Sequence, residues 1–293
     1  MSSHRPRRSV LYMPASNARA IEKAKGLACD VVILDLEDAV APEAKPEARA
    51  QAVAAVRAGG FGGREVAIRC NALSTPWGAE DLKAAAEAGP DAVLVPKVAG
   101  PADIAAYDAA LAGAPATTEL WAMIETCAAV FALEPIAAMR GQSRLGAFCL
   151  GLNDLAKEMG CRQTPGREPF QAVLTLAVAA GRAHGLTLLD SVFNEIDDLA
   201  ALETACRQGA DFGFDGKTII HPSHIEACNR VFGPDPAEVA WARAVITAFA
   251  APENAGKGAL RVEGRLAERL HLAQAEGLVA RAEIIAARDA ARS

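Results

Sequence analysis

Acidic side chains follow three apolar segments of strand length, and their spacing could build a cation site. These carboxylates are Asp35, Glu37, Asp38, Glu125 and Asp154. Glu125 and Asp154 lie about one strand–helix unit apart, so in a barrel of parallel strands they would stand side by side. Two hard oxygen ligands suit Mg²⁺, which usually takes one or two protein carboxylates and completes its octahedron with waters and substrate oxygens. The pattern predicts that the three strand ends share one cation.

Each of these acids also has a structural interpretation. Glu125 or Asp154, taken alone, could be a surface acid that caps the helix after its strand. Two such acids on successive strands favour a metal site over helix capping. Glu37 and Asp38 could hold the metal's water molecules, whereas Asp35 and Asp38 could instead accept hydrogen bonds from loop amides.

Basic side chains at strand ends form the second set of candidates. Arg69 would be a buried charge unless it pairs with a carboxylate or an anionic ligand. We expect it to pair with Glu37 or Asp38 in the absence of substrate and to bind substrate when substrate is present. Lys97 has the same two interpretations, with a Schiff-base role as a third. Proline follows His221 and no third nitrogen ligand is evident, so we expect capping or ligand contact there rather than metal binding.

Apolar segments that could form strands recur at a steady interval and alternate with alanine-rich segments of helical composition. The predicted strands are residues 9–14, 31–36, 65–69, 92–97, 120–126, 145–150, 186–192 and 216–221. The predicted helices include residues 17–28, 43–58, 79–88 and 197–208. Eight such units favour a (β/α)8 TIM barrel of the α/β class over an open doubly wound sheet, which usually has about six strands.

A helical extension is expected after the barrel. We predict a barrel domain over residues 1–233 and an extension over residues 234–293, with helical stretches up to Ala250 and from Leu266 to the end. The apolar positions of the extension include Leu270, Leu272, Leu278 and Ile284. These side chains need a partner surface, on the same barrel or on a second subunit, and we expect a homo-oligomer.

Composition narrows the class of protein. The 293 residues are 52% hydrophobic and 23% charged, so the chain can bury a sizeable core. A net charge of −6 argues against broad nucleic-acid binding and favours a small partner. No apolar run reaches the roughly 18 residues of a membrane span, and the start lacks a signal-peptide core. Seven cysteines without a Cys-x-x-Cys pair fit reduced thiols, so we expect a cytoplasmic enzyme.

Short motifs span nearly the whole chain. They are Arg8-Ser-Val-Leu-Tyr-Met-Pro14, Asp35-Leu-Glu-Asp-Ala-Val40 with Lys45 and Arg49, Arg69-Cys-Asn71, Val95-Pro-Lys97, Met123-Ile-Glu-Thr126, Gly151-Leu-Asn-Asp-Leu155, Gly216-Lys-Thr-Ile-Ile-His-Pro222 and Gly256-Lys-Gly258. Each is weak alone. In this order they resemble the citrate lyase β-subunit-like, or HpcH/HpaI aldolase, superfamily, and within it the CoA-ester lyase branch, which includes malyl-CoA and citramalyl-CoA lyases.

The resemblance implies roles for particular residues. Glu125 and Asp154 would bind Mg²⁺, with Mn²⁺ as the alternative, and Arg69 would contact the substrate near its thioester carbonyl. The positions that match the substrate and CoA site of malyl-CoA lyases are Tyr12, Lys23, Asn153, Ile220 and His221. The resemblance also implies a homotrimer or hexamer, in which the C-terminal extension covers a neighbouring subunit's active site.

Two positions depart from the family's pattern. After the first strand the family often has Pro-Gly-Ser, followed in some lyases by a basic residue, where this chain has Pro14-Ala-Ser-Asn17. Near the C-terminus, lyases usually carry Gly-x-x-x-Asp, whose Asp serves as acid/base in the adjacent subunit. This chain has Gly264-Arg-Leu-Ala-Glu268, so the expected catalytic carboxylate is longer.

These implications lead to an expected activity and to its rivals. The first expectation is Mg²⁺-dependent retro-Claisen cleavage of a 3-hydroxyacyl-CoA such as malyl-CoA, giving acetyl-CoA and glyoxylate, with Arg69 and Glu268 as catalytic residues. The first alternative is hydrolysis of the thioester to malate and CoA, known in the family for malyl-CoA thioesterases. Two further alternatives are a citrate lyase β-subunit and a non-catalytic acyl-CoA-binding protein.

Overall fold

The computed structural model describes residues 5–290. These residues form two compact units, residues 7–232 and residues 233–290, and the second unit includes residues 5 and 6. Within the described part of the chain, no helix is both long and apolar enough to cross a membrane.

The first unit is a closed barrel of eight parallel strands. The strands are β1 (Ser9–Pro14), β2 (Val31–Asp35), β3 (Glu65–Arg69), β4 (Ala92–Val95), β5 (Glu119–Ile124), β6 (Leu145–Leu150), β7 (Thr187–Asp190) and β8 (Gly216–Ile219). Each pairs with the next, and β1 pairs with β8 to close the sheet. The predicted TIM barrel is therefore confirmed.

Five predicted strands end later than the observed ones, by one to two residues. In β4 the reason is local, because Pro96 has no N–H to donate to the ladder and Lys97 has a left-handed φ of 56°. In β2 the apolar run continues into Leu36, which stays buried although the strand has ended at Asp35. Burial thus extends past the hydrogen-bonded ladder, and an apolar run alone places a strand end too far along the chain.

Helices connect the strands in the expected alternation. The helices of the barrel unit are α1 (Ala18–Ala24), α2 (Lys45–Ala58), α3 (Gly78–Ala88), α4 (Pro101–Ala110), α5 (Cys127–Phe131), α6 (Leu133–Ala138), α7 (Leu152–Met159), α8 (Gln171–Ala183), α9 (Leu199–Phe212) and α10 (Ile225–Val231). Several begin at a polar cap: the side chain of Asn17 accepts from Ala20 N, and that of Asp198 accepts from Ala201 N.

Alternate residues of each strand belong to two different cores. In β2, Val31 and Ile33 join the cluster inside the barrel, whereas Val32 and Leu34 join the layer between strands and helices. All four are fully buried. Strands buried on both faces read as continuous apolar runs, which explains why residues 31–34 lack polar alternation.

A buried ion cluster lies at the amino ends of the strands. Arg7 Nε donates to Glu65 at 2.7 Å, and its Nη2 donates both to Glu65 and to Glu119 at 2.8 Å. The guanidinium also lies 4.7 Å from the ring of Trp121. Arg7 therefore joins the starts of β3 and β5 at the end of the barrel opposite to the acidic strand ends.

The second unit consists of two helices and a hairpin. Its elements are α11 (Pro236–Ala250), β9 (Ala259–Val262), β10 (Arg265–Glu268) and α12 (Arg269–Ala290). The expectation of a helix from Leu266 onward was wrong for Leu266–Glu268, which form β10; residues 291–293 lie outside the described residues. Glu263 and Gly264 both have positive φ, 49° and 83°, as a two-residue hairpin turn of type I′ requires.

The apolar residues of the extension divide into two groups. Leu272 and Leu278 pack against a small core of this unit that includes Val245. Leu270 and Ile284 remain exposed, at 64% and 40%. Leu272 and Leu278 therefore find packing partners within the unit, whereas Leu270 and Ile284 stay exposed.

Candidate active site

A cavity of about 300 Å³ lies at the carboxyl ends of the barrel strands. It is lined by residues from β1, β2, β3, β5, β6, β7 and β8 or from the loops that follow them. The predicted site residues in its wall are Tyr12, Asp38, Arg69, Glu125, Asn153, Asp154 and Ile220. Residues from six separate parts of the sequence thus meet at one end of the barrel, where enzymes of this fold carry their chemistry.

Arg69 is held by Asp35 through both edges of its fork. Nε donates to Asp35 Oδ1 and Nη2 donates to Asp35 Oδ2, each at 2.6 Å. The two residues are direct neighbours in the register of β2 and β3. Asp35 also accepts from the backbone amides of Glu37 and Ala39, so its own position is fixed.

The remaining guanidinium nitrogen of Arg69 faces the loop after β2. Nη1 lies 2.9 Å from Glu37 Oε2, an ion-pair distance without hydrogen-bond geometry, and donates to Asp38 at 3.3 Å. The ring of Tyr12 lies 4.8 Å from the guanidinium. Burial raises the pKa of Glu37 to about 8, and the positive charge of Arg69 opposes this shift. The expected ion pairs with Glu37 and Asp38 exist, but Asp35 is the principal partner.

The expectation that all three acidic strand ends share one cation stays a prediction, and the structure divides these acids into two groups. The acids after β2 surround the guanidinium of Arg69 and pair with it. Among residues 5–290, no group of three or more His, Cys, Asp or Glu side chains is arranged to hold a metal. A metal here would have to rely on a pair of carboxylates.

That pair is Glu125, which follows β5, and Asp154, in the first turn of α7. Glu125 is 1% exposed, and its Oε1 accepts from the backbone amide of Lys97 at 2.8 Å. The ammonium of Lys97 lies 3.2 Å from Glu125 Oε1 and 2.5 Å from Asp154 Oδ2. The two carboxylates are therefore close enough to share one cationic group.

The two acids of the pair have opposite electrostatic surroundings. Burial raises the pKa of Glu125, against the effect of the nearby Lys97. Burial would also raise the pKa of Asp154, but hydrogen bonding to Lys97 lowers it below its ordinary value. A buried carboxylate with a raised pKa is one that a cation would stabilise in its charged form.

The residues present fit a small divalent cation. Glu125 Oε2 is buried and has no hydrogen-bond partner, so a strong acceptor is left unused. Gly151 keeps the space beside it open: a Cβ there would lie 2.8 Å from Oε2 and 2.6 Å from Glu125 Cβ. Two carboxylates with room for waters and substrate match the way Mg²⁺ is usually bound.

Sequence reasoning missed some residues of this site. It placed Gly151 in a motif but gave it no role, and a glycine immediately after a strand was the available signal. It also missed Gln163 and Asn194, which lie outside the cavity wall but whose side-chain amides hydrogen-bond to Asn153 in that wall. Asn153 lies in α7, whereas Gln163 and Asn194 lie in two separate loops, so their meeting could not be read from spacing in the sequence.

Other predicted site residues lie outside the wall of the cavity. Lys23 is exposed in the last turn of α1, and Glu37 lies behind Arg69. His221 accepts a hydrogen bond from Ser223 N and so caps the short 3₁₀ helix Pro222–His224, which agrees with the capping interpretation. Glu268 belongs to the other compact unit, where it is exposed at the end of β10.

Comparison with known proteins agrees with this geometry. The model of the HpcH/HpaI aldolase/citrate lyase family matches residues 8–222, which include the whole barrel and the cavity wall. The chain belongs to this family. The match begins at the residue before β1 and ends in the 3₁₀ helix after β8, so the family signature coincides with the barrel unit.

Two curated relatives cover nearly the whole chain. A (3S)-malyl-CoA thioesterase from Cereibacter sphaeroides is 46% identical over 282 residues, 96% of each chain. An L-malyl-CoA/beta-methylmalyl-CoA lyase from the same species is 34% identical over 310 residues, 97% of this chain and 96% of the relative. Both act on malyl-CoA, one as a thioesterase and the other as a lyase.

A solved structure resembles the chain over its full length. The protein CitE from Mycobacterium tuberculosis, in complex with magnesium, acetoacetate and coenzyme A, superimposes with a TM-score of 0.76 at 29% identity. The match covers 97% of this chain and all of that one. A protein of this architecture is thus known with magnesium and coenzyme A bound.

Proposed function

We propose that the protein is a Mg²⁺-dependent enzyme that hydrolyses a malyl-CoA-like thioester to malate and free CoA. The observation that carries the proposal is the arrangement in one cavity of a carboxylate pair suited to Mg²⁺, Glu125 and Asp154, and a rigidly held guanidinium, Arg69. Such a cavity can hold a substrate with an anionic, oxygen-rich end and a carbonyl that becomes negative during reaction.

Glu125 and Asp154 are assigned to the 2-hydroxycarboxylate end of the substrate. When bound, Mg²⁺ would act as a Lewis acid and orient the hydroxyl and carboxylate oxygens of this end. Glu125 contributes Oε2, which lacks a protein partner, and Asp154 contributes the more exposed of the two carboxylates. Mn²⁺ has the same preference for oxygen ligands and would be the alternative ion.

Arg69 is assigned to the thioester carbonyl. Attack of water on that carbon places negative charge on the carbonyl oxygen before the C–S bond breaks. A guanidinium fixed by Asp35 donates to this oxygen without having to reorganise, and a fixed donor of this kind contributes several kcal/mol in a water-poor site. The proton lost by water ends on the departing CoA thiolate, which leaves malate and CoA as products.

Glu268 is assigned as the base that takes the proton from water. It lies in the C-terminal unit, so we propose that it acts in the active site of a neighbouring copy within a homotrimer or hexamer. This chain has Glu268 where lyases of the family usually have Asp, and this difference affects the reaction. An added methylene moves the carboxylate by about one bond, and displacements near 1 Å can cost on the order of 100-fold in a positioned reaction.

Carbon–carbon cleavage is the second candidate, supported by the lyase that is 34% identical. In that reaction the hydroxyl proton is lost, the C2–C3 bond breaks to give glyoxylate, and Glu268 protonates the enolate of acetyl-CoA. We favour hydrolysis because identity to the thioesterase is higher, 46% against 34%, over the same share of the chain.

The products of malyl-CoA turnover distinguish the two candidates. The purified protein is incubated with malyl-CoA and Mg²⁺ while glyoxylate is followed as its phenylhydrazone and free CoA with a thiol reagent. Hydrolysis predicts malate and free thiol in equal amounts without glyoxylate. Glyoxylate without thiol would establish the lyase instead. No signal in either assay would contradict the choice of malyl as the acyl group.

Glu268→Asp is the matched variant for the same assay. It keeps the charge and shortens the side chain to that of the lyases, so we expect a lower rate of thiol release and a larger share of glyoxylate. An unchanged product ratio would remove the support that residue 268 gives to hydrolysis.

A further inference from the structure

Lys97 makes two different contacts with the carboxylate pair. Its backbone amide donates to Glu125 Oε1, and its ammonium lies within hydrogen-bond distance of Glu125 Oε1 and Asp154 Oδ2. Its φ of 56° places it in the left-handed region, which few residues other than glycine adopt. This conformation directly follows Pro96; in it the amide of Lys97 faces Glu125 and the ammonium reaches both Glu125 and Asp154.

The ammonium lies against both carboxylates of the proposed metal pair. Mg²⁺ takes its ligand oxygens at about 2.0–2.1 Å and tolerates little departure from octahedral geometry. An ammonium at 2.5 Å from Asp154 Oδ2 takes up space beside an oxygen that would hold the metal. Two positive groups this close repel each other, so metal and ammonium exclude one another.

The side chain of Lys97 can leave without disturbing the barrel. It is 42% exposed, whereas Glu125 beneath it is 1% exposed. A lysine carries its charge on a flexible four-carbon stem, so the ammonium can move into solvent while the backbone amide stays on Glu125. The backbone amide of Lys97 can therefore hold Glu125 in place with and without metal, whereas the ammonium pairs with the two acids only when metal is absent.

We propose that Lys97 is an internal cation that occupies the Glu125–Asp154 pair in the absence of metal and is displaced when the metal binds. The ammonium limits repulsion between the two carboxylates in the metal-free protein, and it lowers the affinity for the metal because the ion pair must break first. The inference rests on the assignment of Glu125 and Asp154 as the metal pair in the proposed function.

Metal binding to Lys97 variants tests the proposal without reference to turnover. Mg²⁺ alone is titrated calorimetrically into EDTA-treated, dialysed full-length protein, and thermal unfolding is followed with and without Mg²⁺. Lys97→Met removes the charge at similar side-chain length. We expect this variant to bind Mg²⁺ at least ten-fold more tightly than the wild type. Without metal it should unfold at a lower temperature than the wild type, and Mg²⁺ should remove this difference.

Two further variants serve as controls. Lys157→Met removes a nearby positive charge that acts on Asp154 at a distance, and we expect a change in affinity of less than three-fold. Lys97→Arg keeps the charge, and we expect weak, wild-type-like binding. A purely structural role of Lys97 would lower stability in both the Met and Arg variants without tightening metal binding.

The outcomes separate this proposal from the proposed function. Equal or weaker Mg²⁺ binding by Lys97→Met, with binding still lost in Glu125→Gln, would overturn the role of Lys97 and leave the metal pair intact. Equal tightening by Lys157→Met would also overturn it, since net charge would then be the cause. No Mg²⁺ binding by any variant would overturn both the metal assignment and the competition that depends on it.

Discussion

At the scale of single residues, the position of Arg69 is fixed before substrate arrives. Asp35 takes two of its three nitrogens at 2.6 Å, and the amides of Glu37 and Ala39 hold Asp35 in turn. The guanidinium therefore meets a developing negative charge in a geometry that costs no reorganisation. Arg7, at the other end of the barrel, is equally buried and paired, but it only joins strands. Burial alone does not distinguish the two arginines. They differ in position, because Arg69 lies at the carboxyl ends of the strands and Arg7 at their amino ends.

Arg69→Lys tests this role. A lysine cannot keep both hydrogen bonds to Asp35 and donate from the same point, because its ammonium lacks the planar fork. We expect kcat for malyl-CoA to fall by about 100-fold or more, the loss typical of removing one such donor, with the fold retained. Steady-state kinetics together with thermal unfolding measure both effects.

Arg49→Lys is the matched control for that substitution. Arg49 donates to Asp81 at 2.6 Å and is absent from the cavity wall, so we expect its kcat to stay within a few-fold of the wild type. A similar loss in both variants would point to general loosening of the barrel, and a wild-type-like kcat for Arg69→Lys would contradict the assignment.

At the scale of elements, the strands position the active-site residues at one end of the barrel and a buried ion cluster at the other end. The ion cluster of Arg7 with Glu65 and Glu119 replaces apolar packing where β3 and β5 begin. Removing Arg7 takes the cation away from Glu65 and Glu119, and the loss of one partner of a buried ion pair typically costs about 3–5 kcal/mol. The cluster therefore matters for folding although it is remote from the cavity.

Arg7→Met should lower the free energy of unfolding by about 3–5 kcal/mol and leave the products of malyl-CoA turnover unchanged. Urea denaturation followed by circular dichroism measures the change. Arg182→Met is the control, because Arg182 pairs with Asp215 at the surface and such pairs contribute about 0–1 kcal/mol. Equal losses in the two variants would contradict the structural role of the cluster.

The sequence predicted elements better than contacts. Apolar runs located all eight strands and the acids after them, because strands buried on both faces leave an unmistakable pattern. It did not pair Asp35 with Arg69, since that pairing depends on the register of β2 against β3, and three acids within four residues were equally near. The left-handed turn at Lys97 was also out of reach. The hairpin of β9 and β10 was missed because its strands have four residues each and its turn is Glu-Gly rather than Asn-Gly.

At the scale of the whole molecule, the chain consists of a barrel that carries the cavity and a second unit that carries Glu268. The exposed Leu266 and Leu270 flank Glu268 in sequence, so the segment that bears the proposed base also bears unpaired apolar surface. An assembly in which this segment meets a neighbour's barrel would bury that surface and complete the site at the same time. The proposed homo-oligomer is therefore part of the catalytic proposal.

The central claim is that Mg²⁺, held by Glu125 and Asp154, is required for turnover of the thioester. The most direct measurement is the rate of CoA release from malyl-CoA by EDTA-treated wild type and Glu125→Gln across a Mg²⁺ titration, with unfolding temperatures confirming that both are folded. We predict that the wild type is inactive without metal and regains activity with Mg²⁺, and that the variant stays inactive at every Mg²⁺ concentration. Turnover by the metal-free wild type, or full activity of Glu125→Gln, would contradict the account.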